Sequence, residues 1–167
     1  MSFASYPSES VLKMTMHVGS ESTFKRDMKN LQIGQTVSLF KIKGRIALPE
    51  YSSGIRSIVF IAGGVGMTPF RSMIMHAKEI GMSASITLLQ VQRGDSFLFA
   101  SDLRDKVDTY LPVQPDDFRD KLNKIIDQNP EALFYICGSQ RLIDGAMLCF
   151  ALKGTVPEDR ILTESFS

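Results

Sequence analysis

The chain has 167 residues, of which 44% are apolar, so it is long enough to bury the core of one domain or of one domain and a fragment. Nineteen basic and 18 acidic residues give a formal net charge of +1. The chain therefore lacks the excess of basic residues that is typical of proteins that bind nucleic acids or anionic membranes. Apolar runs are too short to cross a bilayer, and two cysteines and two histidines show no metal-site or disulfide spacing. We expect a globular, cytoplasmic protein without a metal site.

Residues 1–54 carry a weak pattern of antiparallel strands. Val11–Val18 alternates between apolar and polar side chains, which predicts a half-buried strand, and Thr36–Ile42 again contains strand-forming residues. Between them, a Ser/Thr cluster precedes a short helical pattern over Phe24–Leu31. Because two or three strands are only marginally stable by themselves, we predict that this region is a partial antiparallel β-barrel domain that packs against another part of the protein or against a partner.

From residue 55 onward, short apolar runs alternate with helix-length amphipathic segments, a pattern typical of a parallel α/β sheet. With right-handed crossovers, five strands and four helices form a doubly wound, Rossmann-like sheet, which we predict for residues 55–167. The predicted helices begin near Thr68, Ser101, Asp116 and Gln140. The predicted strands are Ser57–Ala62, Ala84–Val91, Tyr110–Val113, Ala132–Cys137 and Arg160–Thr163.

A glycine-rich turn, Gly63-Gly64-Val65-Gly66-Met67-Thr68-Pro69, joins the first strand of this sheet directly to its first helix. Glycines permit positive φ and close backbone approach, and the free amides at a helix N-terminus attract a phosphate. Thr68 can cap the helix or present its hydroxyl to a ligand, and Pro69 costs no hydrogen bond in a first turn. The turn predicts a pyrophosphate-binding site. The alternative is a tight strand-to-helix connection without a ligand.

The second strand lacks the acidic residue that ordinary dinucleotide-binding folds place near its end to bind the ribose hydroxyls. Gln90, Gln92 and Arg93 occupy this stretch instead. Both an ordinary dehydrogenase and a methyltransferase-type protein require a carboxylate here, so the sequence argues against both. The sequence therefore indicates a different family of nucleotide-binding proteins.

Three motifs, in order, resemble the ferredoxin–NADP reductase superfamily, which includes flavodoxin reductases, cytochrome b5 reductases and the reductase components of oxygenases. The first is the glycine-rich turn that ends in Thr68-Pro69. The second is Cys137-Gly138-Ser139 after the fourth strand, with serine where the family has proline, and the third is the tail Glu164-Ser165-Phe166. The resemblance extends over Ser57–Phe166, about two-thirds of the chain.

The resemblance implies a flavin-dependent oxidoreductase module in which NAD(P)H gives a hydride to FAD and electrons pass to an acceptor protein or subunit. It implies that Cys137 lies near the reactive nicotinamide carbon and that Glu164 positions the nicotinamide or the flavin, or handles a proton. The implied NAD(P)-binding residues are Gly63, Gly64, Gly66, Thr68, Pro69, Arg93, Gly138, Ser139 and Phe166.

Each of these roles has a plainer alternative. Cys137 could be a buried packing residue, since free cysteine often is, and Arg93 could be an ordinary surface arginine. Glu164 could belong to a frayed charged terminus. Cys149, inside a predicted helix, is assigned to packing.

The N-terminal residues resemble part of the family's flavin-binding segment, Arg-x-[Tyr/Phe]-[Ser/Thr]-x-x-Ser. Ser2 and Ser5 match its hydroxyl positions, but Met1 stands where the aromatic residue belongs, and the arginine is absent. A second element, a Gly- or Ser-rich turn before a short helix that binds the flavin phosphate, is represented by Gly19–Thr23, with Ser22 and Thr23 as its candidate binding residues, followed by the helical pattern Phe24–Leu31. We therefore expect FAD binding to be weak or lost in this chain alone.

The missing barrel strands imply either a shortened piece of a longer reductase, which we favour, or strands supplied by another polypeptide. Open barrel edges favour a homo-oligomer or a partner subunit. A second function is a binding or regulatory module that keeps the nucleotide turn but has lost flavin and catalysis, as the missing arginine motif suggests. A third possible function is that of an electron-transfer subunit of a larger flavoenzyme. Such a subunit normally contains a cluster of cysteines that holds iron and sulfur, and the two separated cysteines of this chain do not form one.

Overall fold

The structure is a computed structural model that describes residues 2–17, 22–40, 44, 46–50 and 53–165. Its centre is a five-stranded sheet in the order β3-β2-β1-β4-β5, and every neighbouring pair of strands is parallel. Each predicted strand is confirmed to within two residues at either end. The strands are β1 Ser57–Gly63, β2 Ser85–Val91, β3 Thr109–Val113, β4 Leu133–Gly138 and β5 Ile161–Ser165.

The helices that connect these strands also follow the predicted order, and each begins within two residues of its predicted start. The helix predicted near Asp116 begins as a 3-10 turn over Pro115–Asp117 before it becomes α-helical. The α-helices are α1 Thr23–Lys29, α2 Met67–Glu79, α3 Ala100–Leu103, α4 Phe118–Gln128 and α5 Gln140–Lys153. The predicted doubly wound α/β fold is therefore confirmed.

Two apolar cores lie on the two faces of the sheet, because the central strands β1 and β4 are apolar at almost every position and so bury both faces. On one face α2 and α3 pack around Phe60, whose ring is 4.8 Å from that of Phe70 and 5.3 Å from that of Tyr135. On the other face α4 and α5 pack on β1, β2 and β4, with Phe134 4.9 Å from Phe150. The sheet is thus covered on both sides.

The strand predicted over Val11–Val18 is wrong over its described residues, 11–17. The backbone there forms one isolated antiparallel bridge, between Phe3 and Met14, and no continuous strand. Leu12, on the predicted inner face, is 55% exposed. An alternating sequence becomes a buried strand only where a neighbouring strand completes its hydrogen bonds, and the described residues place none beside it.

The strand predicted over Thr36–Ile42 is also wrong over the described residues 36–40, which are all exposed and without strand structure. Lys41 and Ile42 lie outside the described residues, as does Val18 of the first predicted strand. The short helix between them is confirmed as α1, although none of its side chains is buried. The division into two domains at residue 54 stays a prediction.

Part of the region before β1 packs against the sheet. Ile46, Leu48 and Ile55 contact the core on the α2 side, and the Tyr135 hydroxyl donates to the carbonyl of Ala47 at 2.5 Å. Within the described parts of the chain, no helix is long and apolar enough to cross a membrane.

Candidate nucleotide-binding site

The two predicted glycine turns lie side by side at the carboxyl edge of the sheet. β1 and β4 are neighbours, but the helix after β1 covers one face of the sheet and the helix after β4 covers the other. This is the switch point at which open α/β sheets leave a crevice for a ligand. The structure therefore brings Gly63–Pro69 and Cys137–Ser139 together.

Gly66 makes the contact between the two turns. A Cβ atom at Gly66 would lie 2.1 Å from the carbonyl oxygen of Cys137 and 2.8 Å from the amide nitrogen of Gly138. Real Cβ atoms do not approach backbone so closely, so only glycine fits this position. Gly138 is also close to the first turn, because its Cβ would be 3.3 Å from the Cα of Gly63. The two turns thus pack backbone against backbone.

Gly64 differs from the other glycines of the turn. Its φ is +52°, in the left-handed region, and a Cβ atom there would have no neighbour within 4 Å. Gly64 begins the short 3-10 turn Gly64–Gly66 that leads into α2, whose first amides have no carbonyl partner within the helix. Open space above a left-handed glycine beside these amides is where a phosphate group could approach the backbone.

The side chains of Thr68 and Ser139 each form a hydrogen bond to the backbone of their own turn or helix. The Thr68 hydroxyl is buried and donates to the carbonyl of Val65 at 2.7 Å, so its proton is used inside the turn. Ser139 is the N-cap of α5, and its hydroxyl oxygen accepts from the amide of Leu142 at 3.4 Å. Pro69 lies in the first turn of α2 and is partly exposed. These contacts show how the turns are held, and ligand contact by these residues stays a prediction.

Cys137 and Glu164 are directly opposite each other on β4 and β5. Cys137 is fully buried in the core on the α2 side, with Ala62 as its partner on β1. Burial, together with the nearby negative charge of Glu164, raises the pKa of the Cys137 thiol to about 12. The thiol is therefore neutral at physiological pH. Phe166 lies outside the described residues.

Gln90 occupies the position where a ribose-binding carboxylate would be expected, and its side chain is used inside the protein. It is fully buried, donates to the carbonyl of Leu98 at 2.8 Å and accepts from the Tyr110 hydroxyl at 2.8 Å. The Gln90 side chain therefore holds the loop after β2 in place. Arg93, at the start of this loop, is exposed, and its guanidinium forms no hydrogen bond or ion pair with the other described residues. Its role toward a nucleotide stays a prediction.

The residues assigned to flavin binding do not form a cradle within the described part of the chain. Ser5 is buried, and its hydroxyl oxygen accepts from the amide of Lys13 at 3.1 Å, while Ser2 is half-buried. Ser22 and Thr23 are exposed at the start of the seven-residue helix α1, and the Ser22 side chain forms no capping bond. Their roles stay predictions.

Arg71 is the residue near this site that sequence reasoning missed. It is only 4% exposed, and its guanidinium bonds Glu9 at 2.8 and 3.0 Å and Asp102 at 2.8 Å. It also donates to the carbonyl of Ala4 at 2.7 Å. The pKa of Glu9 falls to about 2, mainly because Arg71 bonds its carboxylate and secondly because Lys13 does. One sequence signal was present: an arginine directly beside the apolar Phe70 of an amphipathic helix.

Among the residues that the structure describes, no cluster of three or more histidine, cysteine, aspartate or glutamate side chains could hold a metal ion.

The parallel sheet and the paired glycine turns at its switch point define a doubly wound α/β domain. No family model matches the chain. It is 23% identical over 158 residues to the reductase component of propane 2-monooxygenase from Rhodococcus jostii (strain RHA1), covering 82% of this chain and 42% of that protein. It is 26% identical over 147 residues to the tetrachlorobenzoquinone reductase of Sphingobium chlorophenolicum, covering 83% and 43%.

Among solved structures, ferredoxin–NADP+ reductase from Plasmodium falciparum with 2'P-AMP superimposes with a TM-score of 0.70. The match covers 99% of this chain and 75% of that chain at 16% identity, so it supports the fold. The chain spans less than half the length of the curated relatives it matches. These comparisons confirm the resemblance to the ferredoxin–NADP reductase superfamily that the sequence motifs indicated.

Proposed function

We propose that this chain is the NAD(P)-binding part of a flavin-dependent NAD(P)H oxidoreductase whose electrons pass to an acceptor protein. The observation that carries the proposal is the backbone contact between the turns after β1 and β4, which Gly66 makes possible. The similarity to reductase components and to a tetrachlorobenzoquinone reductase supports the same chemistry. The relatives' substrates and partner proteins are not carried over, because the chain spans under half of their length.

In this proposal each element of the site has a separate task. The open backbone at Gly64 and the first amides of α2 hold the pyrophosphate, because amides at a helix N-terminus favour negative charge. The edge formed by Cys137 and Gly138 borders the nicotinamide, and Glu164 orients it. When bound, NAD(P)H would supply the hydride and FAD would accept it. A neutral, buried thiol suits a residue that shapes this edge, because a nucleophile would need the thiolate.

Replacing Gly64 with valine should weaken the binding of ADP-ribose, a fragment of NAD, by at least about tenfold. The valine side chain would occupy the open space where the phosphate approaches, and it would strain a backbone with φ of +52°. Isothermal titration of wild type and variant with ADP-ribose measures the effect.

Gly154→Val is the matched control. Gly154 has φ of +62° and equally open surroundings, but it lies at the C-terminus of α5, away from the carboxyl edge of the sheet. Both variants should lose similar stability, about 1–3 kcal/mol, from strain alone. If folded Gly64→Val bound ADP-ribose as wild type does, the turn would not be the phosphate site.

A binding or regulatory module without flavin is the second candidate, and it is favoured by Ser5, which is buried with its hydroxyl bonded to the amide of Lys13. Visible absorbance of the purified chain separates the two functions, because a bound flavin makes the protein yellow.

A homo-oligomer formed through the N-terminal region is part of the proposal, and we expect a dimer in light scattering. Large apolar side chains are exposed in the described stretches 11–17 and 22–40, which favours their burial against another surface. Ile33→Glu with Phe40→Glu should give monomers, and the control Leu152→Glu, on the exposed side of α5, should not. A wild-type monomer at high concentration would contradict this. The exposed apolar residues of this region are Val11, Leu12, Phe24, Leu31, Ile33, Val37, Leu39 and Phe40.

A further inference from the structure

Arg71 joins two segments that are far apart in the sequence and lie against the same helix. It belongs to α2, which begins at the glycine turn, and its side chain is almost completely buried. Its partners are 62 and 67 residues away in one segment and 31 residues away in the other. A buried guanidinium needs bonds in several directions, and here they come from both segments.

The first segment is residues 4–13. The carbonyl of Ala4 and the carboxylate of Glu9 both accept from Arg71. Glu9 in turn accepts from the amide of Tyr6 at 3.1 Å and from the Lys13 ammonium at 2.6 Å. The ends of the segment are tied to each other, because the Ala4 amide donates to the carbonyl of Lys13 at 2.8 Å. The segment is therefore a closed loop that Arg71 attaches to α2 through Glu9 and Ala4, with a further hydrogen bond from Ser8 to Glu79 of the same helix.

The second segment is residues 97–102, which form the end of the loop that follows β2 at the carboxyl edge of the sheet and the start of α3. Asp102 accepts from Arg71, and the Phe99 ring lies under the guanidinium, 5.4 Å from its centre. Phe99 has a φ of +60° and is the single non-glycine residue with positive φ in the described backbone. This conformation is unfavourable for an aromatic residue, so it persists because its surroundings hold it.

We propose that Arg71 is a positioning residue that clamps these two segments to α2 and, through Asp102 and Phe99, fixes the loop after β2 at the nucleotide-binding edge relative to the glycine turn. On one side it holds the N-terminal segment, and on the other it holds Phe99 and the loop after β2. The part of this inference that concerns nucleotide binding rests on the proposed function. Only arginine offers a planar fork that bonds two carboxylates and a carbonyl at once.

Hydrogen–deuterium exchange of the full chain tests the clamp without any ligand. In Arg71→Met, exchange should rise by about tenfold or more in peptides covering 4–13 and 97–103. Glu9→Ala should affect only the first peptide and Asp102→Ala only the second, while α5 is the internal reference. Arg71→Lys keeps the charge but cannot form the fork, so it should restore protection on at most one side.

Titration with ADP-ribose tests the consequence for the site. Arg71→Met and Asp102→Ala should weaken its binding by about fivefold, and Glu9→Ala by less than about twofold, because Glu9 holds the side away from the β2 loop. Arg160→Met is the control, since Arg160 also bonds a carboxylate and a carbonyl, both of Glu131, just before β5. It should change neither binding nor exchange in the two segments.

Two results would overturn the clamp. One is an exchange rate in both segments of folded Arg71→Met that equals the wild-type rate. The other is an exchange rate that rises equally in the two segments and in α5, which would show general destabilisation. If the wild-type chain did not bind ADP-ribose, the proposed function and the nucleotide part of this inference would fail together. The exchange pattern would still decide whether Arg71 clamps the two segments.

Discussion

Alanine at Gly66 is expected to destabilise the folded chain by about 3 kcal/mol, the upper part of the range for overpacking in a well-packed interior. The added methyl group would lie 2.1 Å from the carbonyl oxygen of Cys137 and 2.5 Å from its carbonyl carbon. Both atoms belong to the backbone at the end of β4, which is paired on both sides in the centre of the sheet. Because backbone held by two neighbouring strands cannot move away cheaply, the two turns must separate.

Gly145→Ala provides the control for this prediction. Gly145 lies inside α5, and a Cβ atom there would meet Phe118 at 3.9 Å, which is ordinary contact. Alanine should therefore stabilise the helix by about 0.5–1 kcal/mol. Urea unfolding of both variants gives the two free energies. A Gly66→Ala protein as stable as wild type would mean that the turns are not packed together in solution.

The α/β part of the fold could be predicted from the sequence because its signals are local. Runs such as Ile58–Ala62 are apolar at every position, as a strand covered on both faces must be, and a glycine turn or amphipathic segment follows each run. The helix after the run begins at Met67, one residue from its predicted start. Short connections leave little freedom in how these elements are arranged.

The absence of strands over residues 11–17 and 36–40 could not be predicted, because an alternating sequence becomes a strand only where a neighbouring strand pairs with it. Alternation over residues 11–17 is compatible with a strand, but a strand forms only where another backbone pairs with it. In the described residues the pairing stops at a single bridge between Phe3 and Met14. Leu12, predicted to be inside, remains exposed.

The location of the candidate site was predictable, whereas the separate tasks of its residues were not. The sequence indicates a glycine turn, but only the packing of β1 against β4 separates Gly66, which needs close contact, from Gly64, which faces open space. Arg71 is a stronger example. Its partners Glu9 and Asp102 are 62 and 31 residues away, so no local pattern connects them.

Replacing Cys137 with alanine should slow hydride transfer by about tenfold or more while changing ADP-ribose affinity little, because it disturbs the reacting geometry and leaves the phosphate contacts intact. Cys137 lies between Ala62 and Glu164 at the edge proposed to border the nicotinamide. Its thiol is neutral at physiological pH, so its contribution is one of shape. Stopped-flow reduction of protein that carries flavin measures the hydride step, and isothermal titration measures the affinity.

Cys149→Ala separates this effect from a general loss of packing. Cys149 is also buried, but it lies in α5 on the opposite face of the sheet. Its replacement should cost about 1 kcal/mol of stability through a small cavity and leave the hydride step unchanged. If Cys137→Ala reduced flavin at the same rate as wild type, Cys137 would be a packing residue like Cys149. The proposed nucleotide-binding site would then depend on the glycine-rich turn and not on Cys137.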